Sequence, residues 1–127
     1  MYSNALRTYE NVDRQTMSGR EVEAAVLTKA AQKLTECQKD LAAANRDGRL
    51  EEAIKFNQRI WSIFQAELSR EDNPLPKQLR INILRLGGFV DRRLLESIAD
   101  PIPDKLDIVI RINNNLAAGL RGDAGSR

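Results

Sequence analysis

Histidine is absent from the 127-residue sequence, and cysteine occurs only once, at Cys37. The chain therefore lacks the side chains for an internal disulfide framework, a Cys/His metal site, a Ser-His triad or a Cys-His dyad. Carboxylate pairs such as Glu51 and Glu52 are present, but adjacent residues on a helix point about 100° apart and form no shared acid–base site. The sequence predicts no catalytic residues, no metal and no cofactor. We expect a protein that is not an enzyme and that acts by binding another macromolecule.

A strong charge of one sign is also missing, since 20 basic residues stand against 18 acidic ones and the net charge is +2. Aromatic residues make up only 5% of the chain, so few side chains can stack on bases. Direct nucleic-acid binding is therefore not expected. No stretch approaches about 18 uncharged apolar residues, and the first fifteen residues lack a basic segment followed by an apolar run. These absences predict no membrane insertion and a cytoplasmic location.

The residues that are present favour helices throughout. Hydrophobic residues make up 42% of the chain, they recur with helical spacing, and no segment alternates as a strand would. The chain length suits one core rather than two. We predict an all-α, single-domain antiparallel helical bundle of four main helices over residues 1–120, including a short N-terminal docking helix at residues 1–15. Residues 121–127 are expected to form a flexible tail.

The four main helices have recognisable ends. The first should begin after Ser18, which can cap it, and should run to about Asn45. The second should span about residues 49–69. Because the prolines that follow cannot continue a helix, the third should begin near Pro76, and the fourth should be capped by Asp104.

Several side chains are predicted to build the core. Trp61 and Phe64 lie on the apolar side of the second main helix. The apolar stripe of the third comprises Leu79, Ile83, Leu86, Val90, Leu94 and Ile98. Asn57 and Asn113 fall at the centres of their apolar stripes, where an amide is costly unless it is hydrogen-bonded. Either the two pair with each other or with backbone and fix the helix register, or they contact the backbone of a partner.

The third main helix also carries candidates for partner binding. Ile81 and Phe89 lie outside its core stripe, and Arg85 and Arg92 are on the same helix. An apolar pair of this kind either marks a groove for a partner or is covered by another part of the chain. The basic side chains either contact a partner or simply solvate the surface.

The N-terminal segment supplies a further set of candidates. Tyr2, Leu6 and Tyr9 share one face of the predicted docking helix. They either occlude the partner groove until the partner displaces them, or dock onto the bundle as part of its structure.

Four segments together resemble the FlaF family of flagellar proteins. They read YSNALRTYE, SGREVEAAVLTKAAQKL, RIWSIFQAEL followed by NPLPKQLRINILRLGGFVDRR, and IRINNNLAAGLRG. The resemblance spans nearly the whole chain. It implies a cytosolic flagellin-binding chaperone and regulator that couples flagellin synthesis to export in flagellum assembly. The partner it implies is the terminal helical region of flagellin, with another flagellar regulator as a further candidate. The alternative is a post-transcriptional adaptor acting on translation of flagellin mRNA.

Overall fold

Helices make up almost all of residues 19–122, the part of the chain that the computed structural model describes. In chain order they are α1 (Gly19–Gln38), α2 (Leu41–Arg46), α3 (Arg49–Leu68), α4 (Lys77–Ala99) and α5 (Pro103–Arg121). No strand occurs within these residues. The predicted all-α class is therefore confirmed. The proposed docking helix at residues 1–15, the Ser18 cap and residues 123–127 lie outside the described residues.

The four long helices form an antiparallel bundle. α1 packs against α3 and α5, and α4 packs against the same two helices from the other side. Lys33 near the end of α1 pairs with Glu52 near the start of α3, at 3.3 Å. Gln38, the last residue of α1, donates a hydrogen bond of 2.9 Å to the backbone carbonyl of Pro103 at the start of α5. Both contacts join the end of one helix to the start of another, so these neighbours run in opposite directions.

The first helix is shorter than its periodicity predicts. α1 ends at Gln38 rather than near Asn45, and the short helix α2 follows. The Asp40 carboxylate accepts a hydrogen bond of 3.1 Å from the backbone amide of Ala43, which makes Asp40 the N-cap of α2. An aspartate at this position satisfies an otherwise unpaired donor and so favours a new helix start over continuation. The prediction of one continuous helix was wrong for this reason.

Two smaller predictions about helix ends also need correction. Asp104 is not the N-cap of α5, because Ile102 takes that position and Asp104 lies in the first turn. A carboxylate there still interacts favourably with the helix dipole. At the other end α5 continues to Arg121, one residue into the predicted tail, and Gly122 closes it with a φ of 83°. A positive φ is the conformation that glycine adopts most easily at a helix end.

The predicted core stripe of α4 is correct in its middle and wrong at both ends. Its buried members are Ile83, Val90 and Leu94. Leu86 is half-buried against the core, whereas Leu79 is 44% exposed and Ile98 is 50% exposed. α4 has 23 residues and its neighbours α3 and α5 have 20 and 19. Leu79 and Ile98 lie in its first and last turns, where the shorter neighbours leave side chains uncovered.

Small residues complete the buried line of α4. Gly87 and Ser97 are buried alongside the apolar residues. A Cβ atom on Gly87 would lie 3.0 Å from Nε2 of Gln65 and 3.3 Å from Cε3 of Trp61. The absence of a side chain at Gly87 therefore lets α4 approach α3 closely over the indole ring.

Paired substitutions of the two adjacent glycines should have opposite effects on stability. Gly87→Leu should lower the free energy of unfolding by about 1–3 kcal/mol, because the new side chain overpacks the contact with Trp61. Gly88→Ala should raise it by about 0.5–1 kcal/mol, because a Cβ there meets nothing within 4 Å and alanine is the better helix former. Urea unfolding of both variants measures the difference. Equal effects of the two substitutions would contradict a close helix contact at Gly87.

A chain of hydrogen bonds crosses the core between α1, α3 and α5. Nε1 of Trp61 donates to Oδ1 of Asn113 at 3.0 Å, and Nδ2 of Asn113 donates to Oδ1 of Asn57 at 2.7 Å. Nδ2 of Asn57 donates in turn to the backbone carbonyls of Ala30 and Ala53. The three side chains are fully buried. The two asparagines thus pair with each other and with backbone, the first of the two alternatives that the sequence left open.

Candidate functional site

Helix α4 is apolar over more of its circumference than its two main neighbours cover. Leu95 is 58% exposed and Ile98 is 50% exposed, three residues further along the same helix. Ile102, which directly precedes α5, is also exposed. A helix that is apolar on several sides normally packs on several sides. Contiguous exposed apolar side chains are typical of protein–protein contact sites.

We call the side of α4 away from its buried line the α4 outer surface. It comprises Ile81, Arg85, Phe89, Arg92 and Leu95, and it is extended in the last turn by the exposed Ile98, which lies at the edge of the buried line. The first four are the partner-binding candidates that the sequence places on this helix. The structure therefore brings these four onto one helix face and adds an apolar end to it, at Leu95 and Ile98.

The predicted apolar pair is less accessible than the sequence indicates. Ile81 and Phe89 are both half-buried, whereas Arg85 and Arg92 are exposed. The guanidinium of Arg93 lies 4.8 Å from the centroid of the Phe89 ring and covers one of its faces. The more accessible apolar surface is thus at the C-terminal end of α4, rather than at Ile81 and Phe89.

One basic side chain of α4 is paired within the helix. Arg93 donates a hydrogen bond of 2.6 Å to the Glu96 carboxylate, so its charge is compensated within the helix. Arg85 and Arg92 are exposed on the α4 outer surface, seven residues apart. The surface therefore offers two exposed arginines beside apolar side chains. The remaining partner-binding candidates, Tyr2, Leu6 and Tyr9, lie outside the described residues.

Leu95 and Ile102 were missed by sequence reasoning, and Ile98 was assigned to the core. A usable signal was present, because Leu94 and Leu95 are adjacent and adjacent helical residues point about 100° apart. The two leucine side chains therefore cannot both face the same narrow helix–helix contact. A count of apolar residues around the whole helix, in place of one best stripe, would have identified α4 as a helix with surplus apolar surface.

A second feature lies at the end of the bundle where α1 begins and α5 ends. A pocket of about 140 Å³ opens there between α1, α3, α4, α5 and the segment that joins α3 to α4. We call it the end pocket. It is lined by Arg20, Glu23, Phe64, Glu67, Leu68, Asn73, Pro74, Leu75, Ile83, Leu116 and Leu120. Its floor is apolar, and the carboxylates of Glu23 and Glu67 border it.

The electrostatics of the end pocket disfavour a charged Glu23. Burial raises the pKa of the Glu23 carboxyl, the negative charge of Glu67 raises it further, and Arg20 lowers it in part. Because the folded-state pKa lies above the ordinary value, the folded chain binds this proton more tightly than the unfolded chain does. The stabilisation from that proton is present at low pH and is lost as the pH rises through the folded-state pKa.

Glu23→Gln should therefore flatten the pH dependence of stability on the acid side of neutrality. The amide keeps the size of the side chain and removes the charge that burial and Glu67 oppose. At neutral pH the variant should be at least as stable as the wild-type protein. Thermal unfolding between about pH 4.5 and pH 7 measures this, with the exposed Glu71→Gln as the charge-matched control. A Glu23→Gln protein that unfolds more easily at neutral pH, with an unchanged pH slope, would contradict this description of the pocket.

The single cysteine belongs to the core. Cys37 is buried at the end of α1, and burial raises the pKa of its thiol. The reactive form of cysteine is the thiolate, which a raised pKa disfavours. Cys37 therefore serves as a small buried apolar side chain.

Two further properties concern residues 19–122 as a whole. None of the helices in this range has the apolar stretch that a transmembrane segment requires. Within the same residues, no three His, Cys, Asp or Glu side chains are grouped closely enough to hold a metal ion.

Comparison with known proteins yields one informative match. No curated protein and no solved structure is significantly similar to the chain. The family described as Flagellar protein FlaF matches residues 5–120, which is nearly the whole sequence and includes all of α1 to α4 and almost all of α5. The chain therefore belongs to the FlaF family of flagellar proteins.

Proposed function

We propose that the protein is a cytosolic flagellin-binding chaperone and regulator that couples flagellin synthesis to export. The α4 outer surface would receive the terminal helical region of flagellin. Membership of a flagellar family supports a role in flagellum assembly. The observation that carries the proposal is the exposure of Leu95 and Ile98 on a helix that is otherwise part of a packed bundle.

The fit between surface and partner rests on apolar burial. The terminal region of flagellin is helical and amphipathic, and before assembly its apolar face has no filament neighbours. Such a helix, laid along α4, would cover Leu95 and Ile98 in the helix-in-groove manner. Each of these side chains is about half-exposed, so covering one contributes about 1 kcal/mol. Ordering a flexible partner consumes about 2–5 kcal/mol of the interaction energy, which keeps binding reversible, as export requires.

Charge restricts which partner helices can bind to this surface. Arg92 lies one helical turn before Leu95, at the apolar end of the surface, and Arg85 lies two turns before Arg92. A partner with carboxylates flanking its apolar face would pair with them, whereas a partner with basic flanks would be repelled. We therefore expect the bound segment of flagellin to carry acidic residues at the edge of its apolar face.

Substitution at the apolar end of α4 tests the proposal. Leu95→Lys combined with Ile98→Lys should weaken binding of the flagellin terminal fragment about tenfold or more, because two apolar contacts of about 1 kcal/mol each are lost. Both positions are exposed, and lysine is a good helix former, so the fold should be retained. Calorimetric titration of the N-terminal and C-terminal fragments of flagellin measures the effect.

A charge-matched control separates contact from net charge. Asn114→Lys combined with Asn115→Lys adds the same two charges to exposed positions of α5. This control should bind flagellin with nearly wild-type affinity. If both double variants lose affinity equally, the effect is one of charge, and the α4 outer surface is not the binding site.

The exposed arginines also motivate the rival function, an adaptor acting on flagellin mRNA. Salt dependence distinguishes the two, because contacts to phosphates weaken steeply with added salt and apolar burial does not. We expect flagellin binding to weaken only modestly between low and physiological salt, because salt screens the ion pairs with Arg85 and Arg92 but not the apolar contacts. A salt-sensitive complex with flagellin mRNA, in place of a complex with flagellin, would favour the rival.

A further inference from the structure

The end pocket is held open by the segment that joins α3 to α4. Nδ2 of Asn73 donates to the backbone carbonyl of Glu67 at 3.1 Å, and Oδ1 of Asn73 accepts from the backbone amide of Leu75 at 3.0 Å. Nη1 of Arg80 donates to the backbone carbonyl of Arg70 at 2.9 Å, which ties the same segment to α4. These bonds fix the wall that contains Asn73 and Leu75. The pocket is therefore preformed, and a ligand need not order it.

The size of the end pocket suits one side chain. Its volume of about 140 Å³ is close to that of an engineered apolar cavity of about 150 Å³ that holds a benzene molecule. A helix or a strand would not enter a space of this size. The apolar part of the lining comes from Phe64, Leu68, Leu75, Ile83, Leu116 and Leu120. This surface suits the methylene chain of a long side chain.

The border of the pocket carries more negative than positive charge. The negative charge of Glu67 raises the pKa of the Glu23 carboxyl, and Arg20 also borders the pocket. Arg20 lowers the pKa of Glu23 through its charge, without a hydrogen bond between the two side chains. Two carboxylates and a single guanidinium therefore line the pocket. A second cation placed between the carboxylates would relieve their repulsion.

We propose that the end pocket is a binding site for one arginine or lysine side chain of a polypeptide partner. The methylene chain would lie on the apolar floor, and the cationic group would reach Glu23 and Glu67. Long basic side chains commonly bury their stems on apolar surface while the head group keeps polar contacts. Charge-assisted hydrogen bonds to carboxylates are stronger than neutral ones. This site is separate from the α4 outer surface and does not depend on flagellin being the partner.

An uncharged apolar side chain is the competing occupant. It would fill the same floor, but it would take water away from Glu23 and Glu67 without supplying a partner, which is unfavourable for a carboxylate. A basic side chain covers the same apolar area and compensates the charge. The charge of the occupant is therefore the property that an experiment must vary.

Small-molecule probes that differ only in the side chain, which is cationic, neutral polar or apolar, test the site. N-acetyl-arginine amide is titrated into the full chain, alongside its neutral isostere N-acetyl-citrulline amide and the apolar N-acetyl-norleucine amide, and methyl NMR signals are followed. We expect saturable shifts at Leu68, Ile83, Leu116 and Leu120 with the arginine probe. The citrulline probe should bind about two- to fivefold more weakly than the arginine probe, the size of effect typical of a partly exposed ion pair. Equal binding of the arginine, citrulline and norleucine probes would overturn the proposal.

Variants of the pocket border make the test specific. Glu23→Gln combined with Glu67→Gln should reduce the affinity for the arginine probe to that for the citrulline probe, while the exposed Glu71→Gln should leave it unchanged. No saturable shift in the wild-type protein, or an unchanged affinity in the double variant, would overturn the proposal. Because the readout uses no flagellin, failure here and failure of the proposed function are distinguishable.

Discussion

Trp61→Ala should lower the free energy of unfolding by about 3–5 kcal/mol, the usual range for removing a buried tryptophan. The side chain is fully buried, packs edge-on against Phe64 with ring centroids 6.1 Å apart, and lies directly beneath Gly87 of α4. Its removal leaves a cavity between α3 and α4 and leaves Oδ1 of Asn113 without its donor. Domains are stable by about 5–15 kcal/mol in total, so this loss would remove a large share. Urea unfolding followed by circular dichroism measures it.

Trp61→Phe is the matched control for this prediction. Phenylalanine retains most of the apolar area and loses the indole N–H. The expected decrease in the free energy of unfolding is smaller, about 1–3 kcal/mol, and arises mainly because the side-chain Oδ1 atom of Asn113 is left unpaired. If Trp61→Ala and Trp61→Phe were equally destabilising, the hydrogen bond rather than the packing would hold this region together.

Asn113→Leu should lower the free energy of unfolding by about 2–4 kcal/mol, although leucine is more apolar and similar in size. The substitution leaves two buried groups without partners, namely the indole N–H of Trp61 and the Oδ1 atom of Asn57. Each buried unpaired group costs about 1–3 kcal/mol, and the added apolar burial offsets a part of that sum. Chemical denaturation of the single variant gives the value.

A double-mutant cycle isolates the bond between Trp61 and Asn113. Trp61→Phe and Asn113→Leu each leave one end of the bond unpaired, whereas the double variant removes both ends. The combined loss should therefore be smaller than the sum of the single losses. Additive losses would mean that the indole and the amide contribute independently and that the bond does not link α3 to α5.

The helix that the sequence predicts most accurately is α3. Its predicted span of about residues 49–69 agrees with Arg49–Leu68 to within one residue. The start is marked by Gly48, whose φ of 87° is a glycine conformation, and the buried stripe continues to Leu68 with Asn57 as its one polar member. Here local backbone preference and apolar periodicity give the same answer, which is the condition for a reliable prediction.

The end of α1 shows where periodicity alone fails. Leu41 and Ala44 remain in phase with the stripe of α1, so the pattern continues through a point where the helix stops. The break comes from a single hydrogen bond, between the Asp40 carboxylate and the backbone amide of Ala43. Apolar spacing carries no information about such a bond, and only the helix-capping preference of aspartate hints at it.

The contacts of α4 could not be predicted for a different reason. Apolar patterns detect large side chains, but α4 approaches its neighbours through Gly87 and Ser97 as well as through Ile83, Val90 and Leu94. The polarity of Ser97 gives no sign that it is buried, yet its hydroxyl is satisfied by the backbone carbonyl of Arg93 within the same helix. Which apolar residues remain exposed depends on the relative lengths and positions of three helices, and one sequence does not specify those.

The end pocket depends on tertiary structure even more strongly. Glu23 and Glu67 are 44 positions apart in sequence and meet only because α1 and α3 run antiparallel. In the sequence, Glu23 is simply a carboxylate in the first turns of a helix, a favourable place for one. Its proximity to a second carboxylate above an apolar floor is a property of the bundle alone.

Methyl NMR of the full chain during titration with flagellin terminal fragments tests most directly whether the α4 outer surface is the docking surface. Trp61 is unsuited as a reporter, because it is buried and hydrogen-bonded in the core. We expect the largest shifts at the methyl groups of Leu95 and Ile98, with little change at the core residues Leu27 and Leu34. Failure of every flagellin fragment to bind, or binding that leaves Leu95 and Ile98 unchanged, would contradict the proposed site.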